Sequence, residues 1–380
     1  MTAVEPAVRR SPLESAFARG ELHTVRVCFS DHHAGLRGRR IAAESFLHDP
    51  AAPHGFCDGA LIWDIQCWIF ETPPFSNFQT GYPDMHVHPD AASARLCGWS
   101  PGEGLVLCDC RTAAGEPIEL DPRHVLRSVA GRAAAETRLS FALDFRLDPE
   151  EDPRWRPGGT APFFSTVVGG LSGSGLRVLA LQPLGGELVR LTLAADAALA
   201  AADAAVIAKS AVKEIAAQHA RRITFMPRAP WGRLGSALEV AVTAPPASDT
   251  DALAGRLADL WPLLRPSANA YKRGEAAGAA PPLAAIGDRL ICTAASADAN
   301  PYLAGAALLA AVHADAPPSG PAEPPATLDR AADRFEAAAW IRDWLGEEFV
   351  VNTVAIARWE AEQGAQAVSS WDYDRYARYA

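Results

Sequence analysis

The sequence predicts an α+β chain in two parts, a small β-rich domain over residues 1–121 and a larger mixed domain over 122–380. Three observations carry this. Short stretches that alternate apolar and polar residues, such as HTVRVCFSD (23–31) and VLCDC (106–110), crowd the first third. A long helical pattern occupies 195–220, and the run DAPPSGPAEPP (315–325) can only be a linker before further amphipathic helices.

Taken in order, residues 1–22 are expected to be flexible. HTVRVCFSD and the glycine-rich HHAGLRGRR (32–40) behind it form a hairpin. GLVLCDC (104–110) and GEPIEL (115–120) make a second strand pair. DPRHVLRSVAGRAAAE (121–136) opens on Asp-Pro, so a helix is expected with proline in its first turn. LSFALDFRL (139–147) and ELVRLTL (187–193) are strands. In ADAALAAADAAVIAKSAVKEIAAQHA (195–220), Leu199, Val206, Ile207, Ala211 and Ile215 recur at helical spacing. RRITFM (221–226) and SALEVAVTA (236–244) are strands around the loop PRAPWGRLG, and TDALAGRLADLWPLL (250–264) is a helix. Residues 326–346 and 347–363 are helical, with Thr327 as a candidate N-cap. No repeat of 20–50 residues occurs, which excludes solenoids.

Composition narrows the function classes. A chain of 380 residues with 49% hydrophobic content buries a large core. Its net charge is −10 and it has no basic block, so nucleic acid and anionic membranes are not expected partners. No apolar run is long enough to span a bilayer, and the first residues carry charges where a signal peptide would be apolar. A cytoplasmic protein is expected. The seven scattered cysteines contain no CxxC pair and suit a reducing compartment; Cys108 and Cys110 are read as core or surface thiols.

In GYPDMHVHPD (81–90), Asp84, His86 and His88 stand at every second position, so on a strand they share one face. A carboxylate and two imidazoles on one face suit zinc, nickel or copper. Equally, they suit a solvated strand.

Several motifs, in order, resemble the glutamine synthetase family from about residue 23 to the end. FSDHHAGLRGRR is similar to its Asp-x-x-Gly-x-x-Arg-Gly-Lys hairpin, and GEPIELDPRHVL to its Asp-Pro-Arg segment. TFMPRAPWGRLGSALEV resembles its Thr-Phe-Met loop and Gly-Ser-Gly-Met-His strand, RPSANAYKR its Pro-Thr-x-Asn-Ser-Tyr-Lys-Arg, and ANPYLAGAALLAA its Asn-Pro-Tyr-Leu helix. The resemblance implies a glutamine synthetase-like fold: a small N-terminal β-grasp domain and a C-terminal catalytic-type domain whose curved antiparallel sheet, flanked by helices, forms a funnel. It also implies ATP-driven amide formation on glutamate with two divalent cations, and a ring-like homo-oligomer. Active sites in that ring are shared between neighbours, with Asp84 half of such a pocket and His86 and His88 at ordinary strand positions.

The chain departs from the family at the metal ligands. Ala142 and Asp144 stand at the Glu-x-Glu-Phe strand, Gln182 and Val189 at the next acidic pair, and Glu239 and Ala241 at the two histidines. A segment carrying the last glutamate is missing between Arg289 and Ala299. At most a weak single Mg²⁺ or Ca²⁺ site from Asp144, Gln182 and Glu239 is expected. Arg273 matches an arginine that holds the glutamate carboxylate, Arg289 one that meets phosphate, and Arg228 stands where lysine is usual. The flap glutamate and a second phosphate arginine map to Ala279 and Ala294.

Two readings follow. In the first, the two-metal ATP site is largely lost, and the chain is a non-canonical carboxylate- or metabolite-binding or regulatory homologue, with an active homologue as a conceivable partner and no certain cofactor. In the alternative it is a divergent ATP-dependent carboxylate–amine ligase or acyl-transfer enzyme with a rebuilt site, using Mg²⁺ and ATP, Asp84 and Glu239 as catalytic groups, and Arg273, Arg289 and Arg228 for substrate. Whether it is an enzyme stays open at this point.

Overall fold

The computed structural model of the chain describes residues 11–68, 73–148, 162–185, 187–230, 235–243, 250–273 and 282–377. Two sheets organise them. The first contains β1 (Thr24–Ser30), β2 (Leu36–Ala42), β3 (His54–Cys57), β4 (Asp84–Pro89), β5 (Arg95–Leu96) and β6 (Glu103–Arg111) in the order β2-β1-β6-β4-β3, with β5 beside β6. Only β1 and β6 run parallel; the other pairs are antiparallel. The second is a curled antiparallel sheet of β7 (Arg138–Leu147), β8 (Val178–Gly185), β9 (Leu188–Leu193), β12 (Leu238–Thr243), β13 (Leu283–Ile286) and β14 (Arg289–Cys292) in the order β13-β14-β12-β7-β9-β8. The short β10 (Asp196–Ala197) and β11 (Ile223–Thr224) pair with the two ends of β7.

The helices are α1 (Pro12–Ala18), α2 (Ala43–His48), α3 (Pro122–Ala130), α4 (Pro162–Gly173), α5 (Ala198–Gln218), α6 (Thr250–Asp259), α7 (Trp261–Leu264), α8 (Pro301–His313), α9 (Leu328–Ala337), α10 (Ala339–Leu345), α11 (Glu347–Gln366) and α12 (Ser370–Tyr376). Helix α8 is apolar nearly all round and buried nearly all round, as such a helix must be. With α3 and α5 it covers the face of β7 that carries Leu139, Phe141, Leu143 and Phe145. The opposite face of β7 carries Ser140, Ala142, Asp144 and Arg146, by strand alternation.

Several expectations need correcting. Residues 11–22, expected to be flexible, include helix α1, capped by a Ser11–Glu14 capping box and anchored by buried Leu13 and Ala16. Helix α3 stops at Ala130 and does not continue to 136, because Gly131 follows and its N–H already closes on the Arg127 carbonyl. GEPIEL forms only an isolated bridge from Pro117 to Arg111, since proline brings no N–H to a ladder. Thr327 sits at the N-cap of α9 without a side-chain bond to the helix backbone. The linker 315–325 is irregular as expected, and Ser319 fixes it by donating to the Asp259 carboxylate at 2.6 Å.

The quoted motifs build the joint between the sheets. Asp31 accepts from Gly35 N at 2.6 Å, His33 N at 3.0 Å and Arg37 Nε at 2.7 Å, which closes the β1–β2 turn. Asn300 caps α8 through Tyr302 N at 2.9 Å, and its Nδ2 donates to the Asp31 carbonyl at 2.9 Å. Arg123, 2% exposed, pairs with Asp203 of α5 through two bonds of 2.9 and 3.0 Å, and also with Asp90 and Asp109.

Lys209 lies inside this joint, 3% exposed, donating to the Asp298 and Ala299 carbonyls. Burial first, and the Lys213 ammonium second, push its pKa down to about 7 against pull from Asp298 and Asp31. Between that value and the ordinary lysine range the unfolded chain holds the extra proton, so Lys209 makes stability rise with pH from about 7 towards 10, by at most ~1.4 kcal/mol per pH unit. Urea midpoints at pH 7 and pH 9 are expected to show this rise in the native chain and to lose it in Lys209→Met.

Candidate functional site

The polar face of the curled sheet gathers residues from four neighbouring strands. Register sets Asp144 of β7 opposite Arg190 of β9, Arg190 opposite Gln182 of β8, and Glu239 of β12 opposite Ala142 of β7. Because alternate residues share a face, Ala142, Asp144 and Arg146 point together.

Arg190 holds the centre. Its Nε and Nη2 donate to the two Asp144 oxygens at 2.7 and 3.1 Å, and its Nη1 donates to Glu239 Oε2 at 2.9 Å. Asp144, 2% exposed, also accepts from Ala237 N at 3.1 Å. Burial works against the Arg190 charge, but the Asp144 bond and the fields of both carboxylates outweigh it and hold its pKa above the ordinary arginine value. This is a bidentate fork with a third arm, a geometry suited to guanidinium and not to a compact ammonium.

The sequence reading missed this residue. It assigned the acidic position to Val189, which the structure buries completely in the main core. One step along the strand is Arg190, on the polar face. The period of ELVRLTL held the signal, since Arg190 and Thr192 alternate with the buried Val189, Leu191 and Leu193 and so lie on the opposite face.

Asp144, Gln182 and Glu239 therefore do not surround a space for a cation. Gln182 is exposed, and a fixed guanidinium lies between the two carboxylates. Among the described residues no group of three or more histidine, cysteine, aspartate or glutamate side chains is arranged to hold a metal. Hard divalent cations need several oxygen donors, and here Ala142 has none while Arg190 supplies positive charge. This donor set does not fit a pair of divalent cations.

The other expected residues are dispersed. Arg273 donates from Nη1 to the Ala294 and Ala295 carbonyls at 3.1 and 3.0 Å and from Nη2 to Thr293 O at 2.9 Å, tying down the segment after β14. Gly235 admits it: a Cβ there would stand 2.2 Å from Arg273 Cγ. Arg289 donates to Ser140 Oγ at 2.9 Å, four residues along β7 from Asp144 and so about 13 Å away by strand rise. Arg228 exchanges backbone bonds with the Asn269 side chain. Asp84 is exposed in the first sheet, facing Cys57 across β3 and β4, and this chain does not bring it to Asp144 or Glu239. Ala294 is buried, and Ala279 lies outside the described residues. His86 and His88 stand opposite Arg111 and Asp109, and Cys108 and Cys110 are buried free thiols.

A second unanticipated residue is Arg146, two positions beyond Asp144 on the same face. It is 1% exposed, and its Nε and Nη2 have no hydrogen-bond partner among the described residues. Burial depresses its pKa, Glu187 opposes this, and Arg228 adds to the depression. A buried guanidinium with unused donors lacks an anion.

This curled sheet with helices behind it is the fold of glutamine synthetase homologues of known structure. The family model described as "Glutamine synthetase, catalytic domain" matches residues 159–243. A glutamate–isopropylamine ligase from a Pseudomonas species is 25% identical, the alignment covering 93% of this chain and 95% of the relative. The gamma-glutamylethanolamide synthetase GlnA4 of Streptomyces coelicolor is 27% identical, covering 97% of each. Among solved structures, GmaS in complex with ADP superposes with a TM-score of 0.78 at 20% identity, over 97% of this chain and 100% of that one. A structure described as a novel glutamine synthase homolog gives 0.78 at 19% identity, covering 99% of each chain. The chain is similar to glutamine synthetase-like ligases over nearly its whole length. No helix among the described residues is long and apolar enough to cross a membrane.

Proposed function

We propose that this chain descends from ligases of the γ-glutamyl amide kind and handles their class of ligand, a small carboxylate and an amine, without the conventional metal-dependent ATP step. The observation that carries this reading is Arg190, bonded to both Asp144 and Glu239 where the family resemblance puts metal ligands. A permanent guanidinium neutralises the carboxylates that a cation would otherwise need. Arg146, with unused donors on the same face, is the group we assign to the ligand's carboxylate. The product of this site is therefore a bound or regulatory state, and Asp84 of a neighbouring subunit in a ring-like homo-oligomer completes the pocket.

The full-length similarity to a glutamate–isopropylamine ligase and a gamma-glutamylethanolamide synthetase favours a second reading. In it, amide formation with Mg²⁺ and ATP persists in a rebuilt site of Asp144, Gln182, Glu239, Arg228, Arg273 and Arg289.

One experiment separates them. Phosphate release is followed with ATP, Mg²⁺, glutamate and either isopropylamine or ethanolamine, beside calorimetric titration of glutamate alone. We expect no amine-dependent phosphate and a metal-independent glutamate isotherm that Arg146→Met weakens at least tenfold. Amine-dependent phosphate release that requires Mg²⁺ overturns the first reading and establishes the second.

A further inference from the structure

A cavity of about 300 Å³ lies between α5, the loop after β11 and the β1–β2 turn, and its lining includes none of Asp144, Arg146, Arg190 and Glu239. Its size is at the lower end of small-molecule sites. One wall is apolar, made by Ile65, Ile223, Phe225 and Pro227. The other carries two ammonium groups from successive turns of α5, Lys209 and Lys213.

Both ammonium groups stand over the same ring, at 5.2 and 5.5 Å from the Phe225 centroid. Cations over an aromatic face gain some attraction, but two of them on one ring repel each other. Lys209 is partly satisfied by two backbone carbonyls. Lys213 has no carboxylate within ion-pair distance among the described residues, and its long stem leaves the ammonium free to turn into the cavity.

Two nearby carboxylates, Asp298 and Asp31, pull on these lysines, and each has hydrogen-bond partners of its own. The Asp298 oxygens are taken by the Ser267 hydroxyl at 2.5 Å and by the Ser296 hydroxyl. Burial, against the field of Asp64, pushes His33 down to about 4, so it is neutral. Asp31 is closed on its own turn and on Arg37.

We infer that this cavity is a second binding site, separate from the sheet face, for a small organic carboxylate with an apolar body: the carboxylate meets Lys213 and Lys209, and the body lies against Phe225 and Ile65. An apolar wall opposite the Lys213 cation, with Lys209 Nζ beside it as a second hydrogen-bond donor, selects an amphiphilic anion over either a neutral apolar compound or a bare inorganic ion. Because the β1–β2 turn contributes His33 and the long helix contributes the lysines, occupation bridges the two sheets of one chain. Nothing in the inference depends on whether the sheet face catalyses ligation.

The full chain is titrated calorimetrically with phenylacetate, phenylacetamide and inorganic phosphate. Saturable phenylacetate binding is expected, with phenylacetamide and phosphate at least tenfold weaker. Lys213 is exposed on α5, so Lys213→Met should keep the native melting curve, and it is expected to weaken phenylacetate at least tenfold. Arg146→Met should leave this isotherm unchanged, which separates the cavity from the sheet face. No phenylacetate binding, equal binding by Lys213→Met, equal binding of phenylacetamide or phosphate, or loss in Arg146→Met each overturns the assignment.

Discussion

Replacing Arg123 by methionine is expected to lower the unfolding free energy by about 3–5 kcal/mol, read from the urea midpoint at neutral pH. The side chain is 2% exposed and forms ion pairs with Asp90, Asp109 and Asp203. Asp203, 4% exposed, also accepts from Tyr302 Oη at 2.7 Å, so one network joins the first sheet to α3, α5 and α8. Burial opposes the Arg123 charge, but the Asp203 bond and the surrounding carboxylates outweigh it and hold its pKa above the ordinary value. Methionine fills much of the stem's volume and none of its charge. It leaves Asp203 buried with the Tyr302 hydroxyl and the field of Arg95, and the penalty is that of a poorly compensated carboxylate. Asp203→Asn, which keeps shape and one acceptor, should cost less than Arg123→Met. A loss below about 1 kcal/mol in Arg123→Met would mean that solvent reaches this network, as it does surface pairs.

The same residues show what a sequence can convey. Asp121-Pro122-Arg123, Asn300-Pro301-Tyr302 and the Asp31 turn are readable because their partners lie within a few positions or belong to a helix start: Asp121 caps α3, Asn300 caps α8, and Asp31 closes on Gly35. The helical period was readable for α5, whereas α8, buried nearly all round, was placed by family resemblance and not by a period. What Arg123 does with Asp203 and Asp109 was not readable, because those contacts join distant parts of the chain.

The sheet face was legible in part for a related reason. Matching motifs located Asp144 and Glu239 and named Val189 on β9, whereas the residue that bonds both carboxylates is its neighbour Arg190. A step of one residue on a strand moves a side chain from one face to the other, from the buried Val189 to the charged Arg190. Arg146 hid within an apolar strand, where a charge is usually taken for a solvent-facing position. Arg273 looked like a ligand-binding arginine because its partners are main-chain carbonyls at 293–295, which no side-chain pattern reveals.

Substitution of Arg190 is expected to change both stability and metal affinity, and the pair of effects tests its role directly. Arg190→Met removes the cation from Asp144, 2% exposed, and leaves that carboxylate with the Ala237 N–H as its remaining donor. A buried carboxylate that has lost its cation is costly, so the variant is expected to be less stable than the native chain at neutral pH by ~3 kcal/mol, read from urea midpoints. Arg190→Glu instead sets a third carboxylate beside Asp144 and Glu239, with the Gln182 amide across from it. Three carboxylates without a cation repel one another, so this variant should be the least stable of the three at neutral pH in chelator. It should also be the one that Mn²⁺ restores, because the ion now finds the oxygen donors and the negative charge that Arg190 denied it. Water-proton relaxation of Mn²⁺ titrations measures this: micromolar to millimolar binding in Arg190→Glu and none at that concentration in the native chain. Equal Mn²⁺ binding by the native chain and by Arg190→Glu would show that the cation enters elsewhere, and that Arg190 does not occupy its place.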